Sequence, residues 1–318
     1  MIVCCGEALI DMVPLPGEKP SFLPSPGGSP YNSAIALGRL GIPVGFLGRL
    51  SKDFFGTMLI EKLRENNVHT DLIVRSGENS TLAFVKLEAG KEPSYIFYTE
   101  GSADRSLAPA DVPAKLPADV RGLLFGSIAM TMEPAATTIE SLILTYKDEK
   151  SPVISFDPNI RPFMIPHKET YRKRFEKWVK ASTIVKISAE DLGFLYPELP
   201  WEDALQELST LGPRLCVTTL GNDGALALLR QEDKQLLQVH APGIPVSVTD
   251  TIGAGDTFHG GLLAWLERNG KMSRTQLAVI TKSELQDALS FANKAASIVC
   301  TRPGADPPTF AEVLSLKQ

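Results

Sequence analysis

The chain has 318 residues, 43% of them hydrophobic and 22% charged, with a formal net charge of −5 at pH 7. That length carries a large α/β unit with a sizeable core, and the mild acidity excludes the broad basic face that nucleic acid demands. The apolar runs, Met1 to Val13 and Leu220 to Leu229 among them, are broken by Gly, Asp or Glu well before the ~18 residues that a membrane span needs. The first run contains Glu7 and Asp11 and follows no basic segment, which is wrong for a secretory signal; a cytoplasmic protein that avoids membranes is expected.

In chain order, short β-branched runs alternate with segments of helical period, the pattern of a mostly parallel sheet covered by helices on both faces. The expected strands are Ile2 to Cys5, Val44 to Leu47, Leu123 to Phe125, Val153 to Phe156, Thr183 to Ile187 and Leu215 to Thr218. Pro30 to Leu40 reads as a helix with Pro early and Gly41 just past its end, and Asp53 to Asn66 reads similarly. Two stretches break the rhythm. Val13 to Pro26 is rich in Pro and Gly, and Leu82 to Leu87 with Tyr95 to Tyr98 alternates like a half-exposed hairpin. A small second sheet follows, either a lid over a cleft or a plain surface excursion. With no repeat or low-complexity tether, residues 1–318 form one domain, with lid segments at roughly 12–28 and 80–104 inserted into it. Cys4, Cys5, Cys216 and Cys300 lie in apolar runs with no zinc spacing and read as reduced core thiols.

The segment that carries chemistry is Asp250-Thr251-Ile252-Gly253-Ala254-Gly255-Asp256-Thr257-Phe258, which runs into a helix of small and apolar residues. Free backbone N–H groups at such a glycine-led N-terminus point outward at the positive end of the helix dipole, so Gly253, Ala254 and Gly255 suit a phosphoryl group. Asp256 beside that anion site suits a general base for an attacking hydroxyl, although a helix cap is the plainer use of the same residue. No GxxxxGK[ST] phosphate loop is present.

These residues resemble the carbohydrate kinase family that includes ribokinase and fructokinase, often called the PfkB family. The C-terminal signature DTxGAGD is matched from Asp250 to Asp256, and a Gly-Gly pair followed by a helical Asn is matched by Gly27, Gly28 and Asn32. Further likenesses are Gly6 to Asp11, Gly48 to Gly56, Ser155 to Arg161 and Thr219 to Gly224, so the resemblance covers nearly the whole chain. It implies a Rossmann-like ribokinase fold with a small β-sheet lid, through which such chains often form homodimers. It implies ATP with Mg2+ as phosphoryl donor, K+ as an activator, and a small sugar as acceptor.

Carried onto this sequence, the resemblance makes Asp256 the base, Gly253 to Gly255 the anion hole, and Arg161 a positive charge near the transferring phosphate. It makes Asp11, Gly27, Gly28, Asn32 and Tyr98 the sugar-binding set. Lys186, Thr219, Gly221, Gly224 and Asn293 fall to the nucleotide, and Asp250 to potassium. Ser188-Ala189-Glu190-Asp191 stands close to a Ser-x-Glu-Glu form, which leaves either Glu190 or Asp191 to serve magnesium through water. Where related kinases show Tyr-Arg this chain has Tyr98-Thr99, which favours a neutral sugar. Fructose is the expected acceptor. A kinase for 2-keto-3-deoxygluconate, ribose or a nucleoside, and a non-catalytic sugar or nucleotide sensor on the same fold, are the alternatives.

Overall fold

The computed structural model describes all residues except 16, 18, 87–93, 147–149 and 317–318. Its first half runs β1 (Ile2–Cys5), β2 (Leu9–Pro14), β3 (Phe22–Gly27), α1 (Ser29–Arg39), β4 (Val44–Ser51), α2 (Phe54–Glu65), β5 (Val68–His69), β6 (Ile73–Ser76), β7 (Thr81–Lys86), β8 (Ser94–Tyr98), β9 (Gly122–Gly126) and α3 (Ala135–Ile143). The second half runs β10 (Val153–Asp157), α4 (Lys168–Ala181), β11 (Ile184–Ser188), α5 (Ala189–Leu195), α6 (Trp201–Thr210), β12 (Leu215–Thr219), β13 (Ala225–Arg230), β14 (Leu236–Ala241), α7 (Ala254–Arg268), α8 (Arg274–Ala278), α9 (Lys282–Cys300) and α10 (Phe310–Ser315).

All six expected strands are present, and they lie side by side in one sheet of order β14-β13-β12-β11-β10-β9-β1-β4-β5, with β6 also on β4. The pairs from β12 through β5 are parallel, and β13 and β14 extend the sheet antiparallel at one edge. The period-two alternation of β1 shows why its four residues are all apolar. Ile2 and Cys4 enter one core with Leu37, Leu262 and Leu289, while Val3 and Cys5 enter the other with Ile139, Phe175 and Trp178. Cys4, Cys5 and Cys216 are buried free thiols, and burial holds the Cys5 and Cys216 thiols up at about 12.

The second sheet has the order β3-β2-β7-β8, two antiparallel hairpins joined by a parallel β2–β7 pair. It therefore begins at Leu9, ahead of the expected segment. Leu87, at the end of the expected Leu82 to Leu87 run, lies outside the described residues, as do 16, 18 and 88–93 within the two expected lid segments. The sheet leads directly into α1: Gly27 ends β3 and Gly28, at φ 111°, caps the helix. That junction places α1 against α7 and so fixes the site below.

Candidate active site

The first turn of α7 stands at the carboxyl ends of the parallel strands, the usual ligand edge of an open α/β sheet. Gly253 precedes it in the left-handed region, at φ 75°. Added there, a Cβ would come 2.7 Å from Cβ of Ala305, so a glycine is required by both conformation and space. The Ala254 N–H donates to Thr251 O at 3.2 Å, whereas those of Gly255 and Asp256 have no acceptor among the described residues. This corrects the expected anion hole, because closing that turn removes the Ala254 N–H from it.

Asp256 is 6% exposed, and its carboxylate is gripped from α1: Oδ1 accepts from Ser29 Oγ at 2.6 Å and Oδ2 from Asn32 Nδ2 at 2.9 Å. Asn159 Nδ2 approaches Oδ1 at 3.4 Å. Burial pushes this carboxyl above its ordinary range against the pull of these donors. The side chain does not cap its own helix, so the plainer use of Asp256 is not the one observed.

A cavity of about 280 Å³ opens over Asp256 between the two sheets. Three carboxylates line it, Glu7, Asp11 and Asp256, together with Arg161 and the apolar Tyr95, Phe97 and Ile128. Glu7 Oε1 accepts from the Ser29 N–H at 3.0 Å and Oε2 from the Ala129 N–H at 3.2 Å, yet burial still lifts the group to about 7. Asp11 is raised to about 6, by burial first and against the nearby Arg161 charge. Gly28 lines the cavity, and Gly27 has no room for a side chain because its Cβ would fall 2.2 Å from Asp11 Oδ2.

On the other side of the same turn lies a cavity of about 230 Å³ whose lining carries no charged side chain. Thr219, Gly221 and Gly224 bound one side and Asn293, Ala296 and Ser297 of α9 the other. The Asn293 amide donates to the carbonyls of Ala241 and Pro242, at 3.1 and 3.0 Å, and so holds the wall in place. Gly224, at φ 91°, could not hold a side chain, since its Cβ would stand 2.1 Å from Ala241 O. Thr251 and Gly255 line both cavities, so the N-terminal turn of α7 is their common wall.

Beneath the wall lies a buried ionic cluster. Lys186 Nζ donates to Asp157 Oδ2 at 2.9 Å with both side chains below 5% exposure. Burial works to lower the Lys186 pKa, but Asp157 prevails and holds it above the ordinary lysine value. A Cβ on Gly255 would come 3.0 Å from Lys186 Nζ, so this ammonium sits directly under the anion turn rather than lining either cavity. His259 accepts or donates at 2.7 Å to Ser155 Oγ, and burial depresses its ring to about 4, so it is neutral. Asp191 is buried and raised to about 6, by burial and then by Asp157, with Oδ1 accepting from the Ile160 N–H at 3.1 Å. Glu190 is exposed.

Asp11, Gly28, Asn32, Arg161, Gly253, Gly255 and Asp256 thus converge on the first cavity, and Thr219, Gly221, Gly224 and Asn293 on the second. One expectation is corrected. Tyr98 is 62% exposed on the outer face of its strand, because side chains alternate along β8 and it is Tyr95 and Phe97 that point inward. Arg161 lines the first cavity together with Asp256 and the α7 turn, its Nη1 donating to Asn159 Oδ1 at 2.8 Å. Asp250 spends both carboxylate oxygens on backbone, accepting from Ile252 N at 3.0 Å and Gly304 N at 2.9 Å. Sequence reasoning missed Ser29 and Glu7 as site residues. Ser29 next to the Gly27-Gly28 pair was the available signal.

A family model described as pfkB family carbohydrate kinase matches residues 1–311. A fructokinase of Rhizobium leguminosarum bv. trifolii is 39% identical over 290 residues, covering 90% of this chain and 86% of its own. The crystal structure of fructokinase with bound ATP from Xylella fastidiosa superposes with a TM-score of 0.89 at 30% identity, covering 99% of this chain and 97% of that one. A Vibrio cholerae O395 fructokinase bound to fructose, ADP and calcium gives a TM-score of 0.84 at 28% identity, over 100% of this chain and 98% of its own.

Proposed function

The chain belongs to the pfkB family of carbohydrate kinases, and from that premise we propose that it transfers the γ-phosphoryl group of ATP to the 6-hydroxyl of D-fructose in the cytoplasm. The observation that carries the reading is the shared wall: one helix turn, with unpaired N–H groups at Gly255 and Asp256, separates a carboxylate-lined cavity from an uncharged one. A neutral polyol needs acceptors for its hydroxyls, whereas a polyphosphate needs donors and no nearby carboxylate.

Asp11 and Asn32 offer an acceptor and an amide to the sugar, and Tyr95, Phe97 and Ile128 cover its apolar faces. Ser29 and Asn32 hold the Asp256 carboxylate still, and its raised proton affinity suits it to take the hydroxyl proton as the oxygen attacks phosphorus and ADP departs. The N–H groups of Gly255 and Asp256, with Lys186 below them, meet the charge that develops on the transferring group. The small sheet closes the sugar side and keeps water from competing. Magnesium would suit the carboxylate of Asp191, in the first turn of α5 with Asp157 nearby, because this ion binds through one or two carboxylates, its waters and substrate phosphates. It would screen the phosphates. Potassium would act beside Asp250, whose carboxylate accepts from the backbone N–H groups of Ile252 and Gly304.

The outer face of the small sheet supports a homodimer formed through it. Phe22, Ile96 and Tyr98 are 37%, 59% and 62% exposed, and Phe84 packs edge-on to Phe22 and Tyr98. Light scattering of the purified protein and of Ile96→Glu checks this, with a monomer expected for the variant.

The test of the activity is ADP release with ATP, Mg2+ and K+ across fructose, glucose, ribose, 2-keto-3-deoxygluconate and adenosine. Turnover is expected on fructose above the others. ATP turnover that none of these stimulates would sink the reading, and sugar binding without turnover would mark a sensor.

A further inference from the structure

A third cavity, of about 370 Å³, lies outside everything used above. It opens at the edge of the large sheet opposite the active site, where Thr183 and Arg214 immediately precede β11 and β12 and Arg230 ends the antiparallel β13. Strands of this length place it on the order of 15–20 Å from the α7 turn. Lys234, from the β13–β14 turn, and Arg274, at the start of α8, complete the ring, and Glu232 is the one carboxylate in it.

Four cations against one anion is an unusual concentration in a chain whose net charge is −5. None of the four is in an ion pair among the described residues. Two of the guanidinium groups are instead held in place by backbone: Arg214 Nη1 donates to Arg230 O at 3.1 Å, and Arg230 Nη2 donates to Ser209 O. Such anchoring points rigid donors without neutralising them.

A second observation concerns polar atoms that have no partner. Thr183 is only 2% exposed, and its hydroxyl makes no hydrogen bond among the described residues; the Nε atoms of Arg230 and Arg274 are likewise buried and unpartnered there. Buried donors normally have acceptors, and here three that lack one belong to residues lining a single cavity. Four cationic side chains with no carboxylate paired to them among the described residues call for an oxyanion with several acceptors.

We propose that this cavity binds a phosphoryl group, either free phosphate or the phosphate of a small esterified metabolite, at a site separate from the transfer site. The volume falls at the lower end of small-ligand pockets, and forked guanidinium donors match tetrahedral oxyanions. The proposal does not depend on the sugar reading.

Calorimetric titration with inorganic phosphate and with glycerol 3-phosphate tests it, on the wild type, Arg274→Ala and Lys234→Glu. Each variant is expected to weaken binding about tenfold or more while leaving the activity without added anion unchanged, since neither residue belongs to the transfer site. Lys234 is exposed in a turn, so its variant stays folded and informative even if Arg274→Ala does not. Tighter binding of glycerol 3-phosphate assigns the cavity to an ester, and equal binding assigns it to the free ion. Wild-type affinity in Lys234→Glu, or no saturable binding to the wild type, overturns the proposal.

Discussion

The two cavities that share the first turn of α7 are built on opposite electrostatic plans. The side proposed for the sugar gathers Glu7, Asp11 and Asp256, all buried enough to hold protons above the ordinary carboxylate range, with Arg161 as the one cation lining it among the described residues. The side proposed for the nucleotide has no charged lining among the described residues and presents glycines, backbone and small residues. The difference teaches that the wall works as a divider of charge. Acceptors are concentrated where hydroxyls must be read and kept away from where phosphates must lie, and the N–H groups of the turn face the boundary.

The largest break in that comparison is Asp256→Asn. It removes the base and leaves the Ser29 and Asn32 donors facing an amide, so kcat should fall by roughly 10²–10⁴. Sugar and ATP binding, followed by calorimetry, should survive. An unchanged kcat would remove Asp256 from the chemistry. Gly253→Ala attacks the wall itself, forcing an alanine into φ 75° against Ala305. A kcat loss of roughly 10²–10³ is expected, the scale of losing an oriented donor, with both substrates affected because the wall is common to them.

A pH experiment sharpens the contrast. Glu7 is raised from 4.5 to about 7, with burial as the main cause. Between these values the folded state keeps a proton that the unfolded chain has released, so the group's contribution is fully present below 4.5 and is lost as pH rises through 7. Urea unfolding of the wild type and Glu7→Gln should therefore diverge between pH 5 and 8 by on the order of 3 kcal/mol, with the wild type losing relative stability at high pH. Parallel profiles would show that Glu7 titrates normally. The smallest effect separates neighbours on β8: Tyr95→Ala should raise the sugar KM about tenfold by removing apolar cover, while Tyr98→Ala leaves it unchanged, and neither should move the KM for ATP.

Local pattern made much of this legible. The strands β1, β4, β9, β10, β11 and β12 are runs of apolar residues because both faces of a parallel sheet are covered, and that signal does not depend on where the neighbours come from. Gly253 and Asp256 were readable for the same reason, since a glycine-led helix start is built by adjacent residues. Family resemblance supplied the expected roles of Asp11 and Asn32, which composition and spacing alone leave open. The alternation of β8 was also visible, but alternation does not say which of its two faces is inside, and the family resemblance pointed to Tyr98 where Tyr95 and Phe97 line the cavity.

What the sequence by itself determined, then, is the set of elements, the glycine turn and the carboxylate at its end, all products of local backbone preference and hydrophobic period. Only the tertiary structure decided that Ser29 and Asn32 grip Asp256 across 227 and 224 residues, that Lys186 pairs with Asp157 beneath the turn, and that four cations meet at the far edge of the sheet. Those contacts depend on how distant segments are brought together, and no local pattern encodes which partners a buried charge will find.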